Sequence, residues 1–291
     1  MKKIRNLLLL LLVICSVLFT NNAFAKQMLE YHALSVGHGD CTVFKMPDGH
    51  VMVVDAGDKF ASGHIVSYLK SMGVKTIDLF VTSHPHSDHI GGATELFKNF
   101  RVKNVWDSGF AREKSLVQKH YLKAVAKSGA SFKRVKAGEM ATLGDTKLEV
   151  LAPVDLITGT RSDANNNSII MLVTYKNVTF LMMGDSEKEE QEMLKFPHVN
   201  VLKAPHHGSK NGNYDSLYAQ TKPDIVTISY DKQSSYKLPH NKTRKLLLKY
   251  NPIRLDTADG DIVIKTDGTN IEYPVNRAVK TVLKDKNRKD I

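Results

Sequence analysis

Residues 84–89 read His-Pro-His-Ser-Asp-His, and they directly follow an apolar stretch at residues 77–82 that predicts a β-strand. Four of these six side chains can bind a metal ion, and burying so many unpaired polar groups in a core would be expensive. Imidazoles together with a carboxylate are ligands that Zn²⁺ and similar divalent ions accept. The segment therefore predicts a metal-binding loop at the end of a strand.

The loop is too short to surround one ion with all four ligands, so the spacing favours two adjacent ions. We expect His84 and His86 on one ion, and Asp88 and His89 on the other. Each ion then needs further ligands from elsewhere in the chain, because metal ions in proteins commonly take three or four protein ligands.

Two later segments, each at the end of an apolar stretch, offer such ligands. Asp185 follows Gly184 just before a predicted helix, where an N-cap carboxylate is a common role. Beside the histidine loop, a bridging ligand is the better interpretation of Asp185. His206 and His207 follow a further predicted strand, and one of the two can complete the second site.

The composition is that of an ordinary globular protein. Of 291 residues, 42% are hydrophobic and 24% charged, which excludes collagen-like, low-complexity and fully disordered chains. Two cysteines cannot build a disulfide scaffold or a cysteine-rich metal site. The excess of Lys and Arg over Asp and Glu gives a formal net charge of +11, which favours anionic partners.

Residues 1–25 have the pattern of a secretory signal peptide, with a basic start, an apolar stretch and a small-x-small site at residues 23–25. We expect a secreted or extracytoplasmic mature chain that begins near Lys26 and has no membrane span. The cleaved segment carries three basic residues and no acidic one, which leaves a net charge of +8. It also contains Cys15, so Cys41 would remain as a single cysteine.

Predicted strands and helices alternate through the mature chain, without a Gly/Ser linker or a repeat of solenoid length. They include a strand at residues 51–54 and helices at residues 186–194 and about 241–250. We therefore expect one α/β domain at residues 26–278. Residues 279–291 contain several Lys and Arg and predict a basic, flexible tail.

Together these motifs resemble the metallo-β-lactamase superfamily, and within it the hydrolase domain of ComEC-type DNA-uptake competence proteins in a free-standing secreted form. The motifs that carry the resemblance lie at residues 36–40, 53–57, 82–92, 165–168, 183–185 and 205–209. A bacterial cell-surface phosphorylcholine esterase is similar in the same places. The resemblance implies a single-domain αββα four-layer sandwich with two divalent metal ions, Zn²⁺ or Mn²⁺, at one edge.

The resemblance also implies roles for individual residues. The ligand positions fall on His84 and His86 for the first ion and, for the second, on Asp88, His89 and either His206 or His207. Asp185 would bridge the ions, and Asp55 would orient the metal-binding loops through hydrogen bonds. The residues implied to be catalytic are Asp88, Asp185 and His207.

The chain departs from the family's pattern at several positions. Many members place a third histidine on the first ion, but the only histidine in that interval is His120, which lies on a predicted helix and which we interpret as structural. The stretch at residues 165–168 takes that place, which predicts a first site that is oxygen-rich or poor in ligands, with weaker metal binding or with Mn²⁺ admitted as well as Zn²⁺. His38 stands where relatives often have Gln, and His240 follows Pro239 rather than preceding a proline.

Several side chains are candidates for supporting the ligands or contacting substrate. These candidates are Asp55, His38, Asn166, Asn167, Ser168, Ser209 and His240. For His38 and His240, a plain surface role is equally open.

Metal-activated water is the predicted nucleophile, with Asp185 orienting it and His207, His240 or Lys203 contacting phosphate oxygens. We expect an exported metal-dependent phosphodiesterase or nuclease that acts on DNA. One alternative is an esterase for phosphocholine or another phosphodiester of the cell wall. Another is a non-catalytic protein, stabilised by metal, that binds polyanions. No protein partner can be inferred.

Four tyrosines lie near lysines after the His-His pair and would stack on nucleic-acid bases, unless they are simply scattered over surface and core. They are Tyr214, Tyr218, Tyr230 and Tyr236.

Overall fold

The computed structural model describes residues 28–275 and 278–283, with side chains described as far as Pro274. The predicted signal peptide at residues 1–25 lies outside the described residues. Among the helices that the structure describes, none is both long enough and apolar enough to span a membrane.

The described part of the chain contains sixteen β-strands and seven α-helices. The strands are β1 (Leu29–Ala33), β2 (Thr42–Lys45), β3 (Val51–Val54), β4 (Thr76–Thr82), β5 (Arg101–Asp107), β6 (Ser131–Arg134), β7 (Met140–Leu143), β8 (Thr146–Ala152), β9 (Ile170–Tyr175), β10 (Val178–Met182), β11 (Val201–Lys203), β12 (Ile225–Ile228), β13 (Ile253–Asp256), β14 (Ile262–Thr266), β15 (Asn270–Val275) and β16 (Ala278–Leu283). The helices are α1 (Ser62–Ser71), α2 (Ser87–Ile90), α3 (Ala93–Asn99), α4 (Leu116–Ser128), α5 (Lys188–Gln191), α6 (Asp215–Thr221) and α7 (Asn241–Tyr250).

The strands form two mixed sheets. The first has the order β16-β15-β14-β1-β2-β3-β4-β5-β6 and the second the order β13-β12-β11-β10-β9-β8-β7. In each sheet one half is parallel: β3 to β6 in the first and β10 to β13 in the second. The carboxyl ends of neighbouring parallel strands meet at one edge, which is where α/β sheets place their ligands. These two halves therefore determine which loops come together.

The two sheets pack face to face through an apolar core. Because side chains alternate between the faces of a strand, every second residue points inward. Tyr31 and Phe44 of the first sheet meet Phe180 of the second, with ring centroids between 5.2 and 5.5 Å apart. The buried Tyr31 hydroxyl shares a 2.8 Å hydrogen bond with Thr227 Oγ1, so burying it leaves no polar group unpaired.

Helices cover the outer face of each sheet. On the first sheet, α1, α3 and α4 contribute the buried side chains Ile65, Leu96 and Tyr121 to an apolar cluster. On the second sheet, α6 and α7 contribute Leu217 and Leu246 to another. The layers follow the order helix, sheet, sheet, helix, so the predicted αββα four-layer sandwich is confirmed.

The carboxyl-terminal boundary falls within a strand. Residues 279–283 of the segment predicted as a flexible tail lie in β16, which pairs antiparallel with β15 at the edge of the first sheet. Residues 284–291 lie outside the described residues.

Candidate metal centre

Loops from both sheets meet at the carboxyl ends of the parallel strands. Asp55 follows β3, residues 83–89 follow β4, Asp185 comes after β10, and residues 206–207 follow β11. Segments that are far apart in sequence are thus brought to one edge of the sandwich by the topology of the sheets.

Small residues let these loops approach one another closely. A Cβ atom at Gly39 would lie 2.5 Å from the carbonyl oxygen of Asp88, which also accepts the backbone N–H of Asp40 at 3.1 Å. Gly184 has φ +50°, and a Cβ atom there would lie 2.9 Å from that of Ser83. Glycine is therefore required at residues 39 and 184, each directly before an aspartate, by close packing around the histidine loop.

Three residues of the centre adopt the left-handed conformation that non-glycine residues rarely take. Asp55 has φ 61°, His206 φ 48° and His207 φ 52°. Each such residue costs about 1–3 kcal/mol and persists where the surrounding structure enforces it. The turn lets two consecutive imidazoles both reach Asp185 Oδ2, at 3.8 Å from His206 Nε2 and 3.4 Å from His207 Nε2.

The first group of potential ligands, which corresponds to the second predicted ion, combines Asp88, His89, Asp185 and His207. His89 Nε2 lies 3.3 Å from Asp185 Oδ1 and 3.8 Å from Asp88 Oδ2. His207 Nε2 lies 3.3 Å from Asp88 Oδ2 and 3.4 Å from Asp185 Oδ2. Ligands about 2.1 Å from a tetrahedral Zn²⁺ lie about 3.4 Å from one another. The spacing of these atoms therefore fits one divalent ion.

The two imidazoles of this group oppose each other, with 3.3 Å between His89 Nε2 and His207 Nε2. Their Nδ1 atoms are engaged elsewhere: His89 Nδ1 lies 2.8 Å from Asp55 Oδ2, and His207 Nδ1 lies 3.1 Å from the carbonyl oxygen of Ser229. When each Nδ1 donates its proton, both Nε2 atoms present lone pairs, which repel at this distance unless a proton or a cation lies between them. Metal-binding histidines are oriented in this way.

Asp55 supports histidines of both predicted sites. Its Oδ1 accepts the backbone N–H of Ser83 at 2.7 Å, and its Oδ2 accepts the Ser83 hydroxyl at 2.7 Å as well as His89 Nδ1–H. Ser83 Oγ lies 3.1 Å from His84 Nδ1. This geometry fits the orienting role predicted for Asp55. Ser83 could be recognised from sequence only by its place between a strand and the first histidine, and it was not predicted.

A second group of potential ligands, which corresponds to the first predicted ion, combines His84, His86 and Asp185. His84 Nε2 lies 2.9 Å from His86 Nδ1 and 3.8 Å from Asp185 Oδ2. Asp185 is thus shared between the two groups, which is the position that a bridging carboxylate would take.

His206 also lies near Asp185. Its Nε2 lies 3.8 Å from Asp185 Oδ2, and its Nδ1 lies 3.0 Å from Glu187 Oε1, a buried carboxylate. The two consecutive histidines therefore have different partners: His207 Nε2 lies near Asp88 and Asp185, whereas His206 contacts Asp185 and Glu187. Glu187 was not predicted, because nothing in its sequence neighbourhood indicates that it supports a histidine.

Electrostatics differ between the two groups. Burial opposes a charge on His207, yet the carboxylates of Asp185 and Asp40 raise its pKa to about 10. For His89, Asp185 and Asp55 likewise outweigh burial and raise the pKa well above the usual range. Protons on these rings balance the surrounding carboxylates, and a divalent cation would take their place.

The histidines of the second group are neutral. Burial lowers the pKa of His86 to about 4. Burial and the charge on His89 hold the pKa of His84 well below its usual range. Neutral imidazole is the form that binds a metal, so these two rings need lose no proton.

A buried ion pair lies directly behind the first group. Lys203 Nζ donates to Asp40 Oδ2, and Asp40 Oδ1 lies 3.8 Å from His207 Nδ1. The Lys203 side chain is 2% exposed. The predicted contact between Lys203 and substrate phosphate is therefore wrong, because its ammonium group is buried and paired. The sequence indicated Asp40 only as part of the motif at residues 36–40, and its partner Lys203 could not be inferred from sequence.

His38 lies at the rim of the first group. Its Nε2 is 3.7 Å from Asp88 Oδ2, and its ring centroid is 4.6 Å from that of His207. The side chain is 28% exposed. His38 therefore contacts the cluster while remaining accessible to a substrate.

Other predicted residues lie further out. His240 Nδ1 accepts the backbone N–H of Lys210 at 3.0 Å at the start of α7. The Ser209 hydroxyl accepts the backbone N–H of Asn211 at 3.3 Å, a contact within the loop. His120 lies on the exposed face of α4, away from the centre.

The asparagine-rich turn at residues 165–167 supports the loops around the centre. Asn166 holds the start of α5, and the Asn167 side chain bonds the backbone N–H and carbonyl of Ile157 at 2.8 and 2.7 Å. Ser168 Oγ accepts the backbone N–H of Asp185 at 3.2 Å. Ser168 thus helps to place the shared carboxylate, while the amide groups of Asn166 and Asn167 form their hydrogen bonds within the scaffold.

Glu190, in α5 behind this turn, gives a prediction about pH. Burial raises its pKa well above the usual range, against the weaker effects of Ser186 and the Ser168 backbone. The folded chain then keeps a proton that the unfolded chain releases as pH rises above about 4.5, so this carboxyl lowers stability with increasing pH by up to about 1.4 kcal/mol per unit. Glu190→Gln should remove this loss, so the variant's advantage in urea denaturation should grow between pH 5 and pH 8.

The exposed Glu192, two positions further along, provides the matched control. Glu192→Gln should leave the pH dependence of stability unchanged. If Glu190→Gln and the unaltered chain keep a constant difference in unfolding free energy across this pH range, Glu190 is not protonated in the folded state.

The sequence of the chain matches a known protein family and known proteins. The model of the metallo-beta-lactamase superfamily matches residues 34–231. The chain is 31% identical over 244 residues to ComE operon protein 3 of Bacillus subtilis, covering 76% of this chain and 31% of that protein. It is 24% identical over 257 residues to Recombination protein 2 of Haemophilus influenzae, covering 85% of this chain and 30% of that protein. The chain therefore spans about a third of the length of these curated relatives.

Solved structures show the same fold at low identity. The metallo-beta-lactamase fold protein YhfI of Bacillus subtilis matches with a TM-score of 0.56 and 14% identity, covering 82% of this chain and 100% of that chain. CmlA of Streptomyces venezuelae, a diiron beta-hydroxylase, matches with a TM-score of 0.52 and 13% identity, covering 82% and 54%. With the family match, these likenesses confirm the resemblance that the motifs indicated.

Proposed function

The chain belongs to the metallo-beta-lactamase superfamily, and we propose that it is an exported hydrolase that uses two divalent metal ions, Zn²⁺ or Mn²⁺, to cleave phosphodiester bonds in DNA. The observation that carries the proposal is the pair of opposed Nε2 atoms of His89 and His207, 3.3 Å apart and flanked by the carboxylates of Asp88 and Asp185. Buried imidazoles in this arrangement are explained by a cation between them.

The residues present fit two ions. His89, His207, Asp88 and Asp185 would hold one, and His84, His86 and Asp185 would hold the other, with His206 also close to Asp185. Two divalent ions supply a water of lowered pKa and positive charge against the oxygens of a phosphoryl group. We assign His206 to the ion of His84, His86 and Asp185, which lacks a third histidine. The motifs had placed either His206 or His207 on the other ion.

Individual side chains of the centre would orient the attacking water, admit the substrate or hold the metal. Asp185, shared by both groups, accepts a hydrogen bond from the attacking water and fixes its direction. Asp88 and His206 are 21% and 22% exposed and form the accessible side where a phosphodiester approaches. His207 is fully buried, so we assign it to holding the metal and not to contacting phosphate.

Two arguments support DNA as the substrate. One relative is named a recombination protein, and recombination is a reaction of DNA. The chain without residues 1–25 has a net charge of +8, and neutralisation of phosphates supplies most of the affinity in non-specific nucleic-acid binding. Binding should accordingly weaken steeply as salt is raised.

The test compares substrates. The purified chain, treated with a chelator and reloaded with Zn²⁺ or Mn²⁺, is incubated with linear DNA, single-stranded DNA or a phosphocholine ester. We expect metal-dependent cleavage of DNA, lost in Asp88→Ala and retained in Asp155→Ala, which alters an exposed carboxylate outside the centre. Cleavage of the phosphocholine ester alone would favour a cell-wall esterase. DNA binding without any hydrolysis would favour a non-catalytic polyanion-binding protein.

Asp55 provides a prediction about metal affinity. Asp55→Asn should weaken binding of Zn²⁺ or Mn²⁺ by about 10- to 100-fold, because carboxylates that orient histidine ligands typically contribute this much. The replacement keeps the size of the side chain but removes the charge that holds His89 and Ser83. Isothermal titration with the metal checks this, with Asp155→Asn as the control. Unchanged affinity in Asp55→Asn would show that Asp55 does not support the ligands.

A further inference from the structure

An open cavity of about 380 Å³ adjoins the candidate metal centre. Asp88, the accessible carboxylate of the centre, forms part of its wall. The other lining residues that matter here are His38, Phe60, Ser87 and Tyr236. Whatever occupies this cavity therefore lies next to the place where a phosphodiester would be cleaved.

Two aromatic side chains stand unusually exposed at this cavity. Phe60 is 85% exposed and Tyr236 is 61% exposed, although rings of this size normally bury most of their surface. They come from separate segments, Phe60 from the turn before α1 and Tyr236 from the loop before α7. Two exposed rings from distant segments on one cavity indicate a binding surface.

His38 connects these rings to the centre. Its ring stacks on Tyr236 with centroids 4.6 Å apart and an interplanar angle of 24°. Its centroid also lies 4.6 Å from that of the His207 ring. His38 Nε2 lies 3.7 Å from Asp88 Oδ2. A flat ring placed on Tyr236 or Phe60 would thus extend the aromatic surface that begins at the histidine cluster.

Charges of both signs lie beside the two rings, and the basic ones flank the rings directly in sequence. Lys59 precedes Phe60 and holds its Nζ 4.8 Å from the centroid of that ring, and the exposed Lys237 follows Tyr236. The carboxylates of Asp58 and Asp88 line the cavity itself, and Asp58 Oδ1 also accepts the backbone N–H of Phe60 at 3.0 Å. Ammonium groups next to exposed rings match a strand whose phosphates and bases alternate.

We propose that the cavity between Phe60 and Tyr236 binds a base of single-stranded nucleic acid, one that neighbours the phosphodiester bond to be cleaved. This inference rests on the proposed function for the identity of the strand, but it concerns separate residues. The rings contribute stacking, which accepts any base, and the lysines contact phosphates. Single strands should be preferred, because paired bases are already stacked within a duplex.

The test uses two oligonucleotides of equal length and charge, oligothymidylate and an abasic strand with the same phosphates. Binding to the chelator-treated chain is followed by fluorescence anisotropy. The unaltered chain should bind oligothymidylate more tightly than the abasic strand. Phe60→Ala and Tyr236→Ala should each weaken binding of oligothymidylate by about 5- to 100-fold, as loss of one stacked base does. Neither variant should weaken binding of the abasic strand.

Two controls keep the result specific. Tyr236→Phe retains the ring and should bind as the unaltered chain does. Leu248→Ala removes an 80% exposed apolar side chain from α7 and should change nothing. Because both aromatic residues are exposed, the variants are expected to fold normally, and a thermal melt verifies this.

Equal affinity for the two strands, or an equal loss for both in the variants, would overturn the inference. So would competition by phosphocholine that disappears in Phe60→Ala while oligothymidylate binding stays intact, since the cavity would then hold a quaternary ammonium group. Base-dependent binding that the variants abolish, seen in a chain that cleaves no substrate when loaded with metal, would uphold the cavity's role and contradict the proposed hydrolysis.

Discussion

The Asp185→Ala variant should lose the hydrolysis of DNA by at least about 1000-fold. Asp185 is the residue that the two ligand groups share, so its removal weakens both. A bound divalent ion stabilises a phosphoryl transition state by several kcal/mol, and each 1.4 kcal/mol corresponds to a factor of ten in rate. The rate of cleavage of a labelled strand, with Mn²⁺ or Zn²⁺ in excess, measures the loss.

Two further observations make this result interpretable. Metal content, measured on the same sample, should fall in Asp185→Ala, and a thermal melt should show that the variant is folded. Asp155→Ala should match the unaltered chain in both rate and metal content. A folded Asp185→Ala variant that cleaves DNA at the normal rate would show that the shared carboxylate has no part in catalysis.

Breaking the buried pair of Lys203 and Asp40 should have the largest effect on stability. Lys203→Met leaves an unpaired carboxylate that is 3% exposed, and removing one partner of a buried pair typically costs about 3–5 kcal/mol. The double variant Lys203→Met with Asp40→Leu replaces the pair by apolar groups and should recover most of that loss. Urea denaturation of the two single variants and the double variant gives the coupling energy.

An exposed pair serves for comparison. Lys232 and Asp259 also contact each other, but both side chains are more than half exposed. Lys232→Met should cause no measurable change in stability, because water screens such pairs. If Lys203→Met proves as harmless as Lys232→Met, the ammonium group of Lys203 is not paired within the core.

Local patterns were sufficient to predict much of the fold. The strand Val51–Val54 and the helix Asn241–Tyr250 have the bounds that their hydrophobic patterns predicted. The layered architecture followed from the alternation of strands and helices together with the resemblance. The strand Arg101–Asp107 was missed because its buried positions are irregularly spaced, and Met140–Leu143 because an edge strand exposes much of its surface.

The predicted helix at residues 186–194 shortens to α5 for a reason that involves the site. Glu187 has extended backbone, with φ −106° and ψ −167°, and its carboxylate supports His206. The helix therefore begins only after the residues that serve the centre. Local helix propensity cannot predict this later start, because His206, the partner of Glu187, lies 19 positions further along the chain.

Ligand candidates could be identified from sequence because imidazoles and carboxylates crowd into one short loop. Their supporting partners could not. Asp40 and Lys203 are separated by 163 positions, and Asp55 and His89 by 34. Such pairs form only when the two sheets bring their loops to one edge. The different partners of His206 and His207 likewise depend on a left-handed turn that the sequence His-His-Gly does not specify.

Anomalous diffraction from crystals of the chain soaked with Mn²⁺ or Zn²⁺ tests the central claim most directly. Two anomalous peaks are expected within one centre, one among His89, His207, Asp88 and Asp185 and the other among His84, His86 and Asp185, with the latter also within reach of His206. The absence of metal from these side chains, or metal only at other positions, would contradict a two-metal hydrolase.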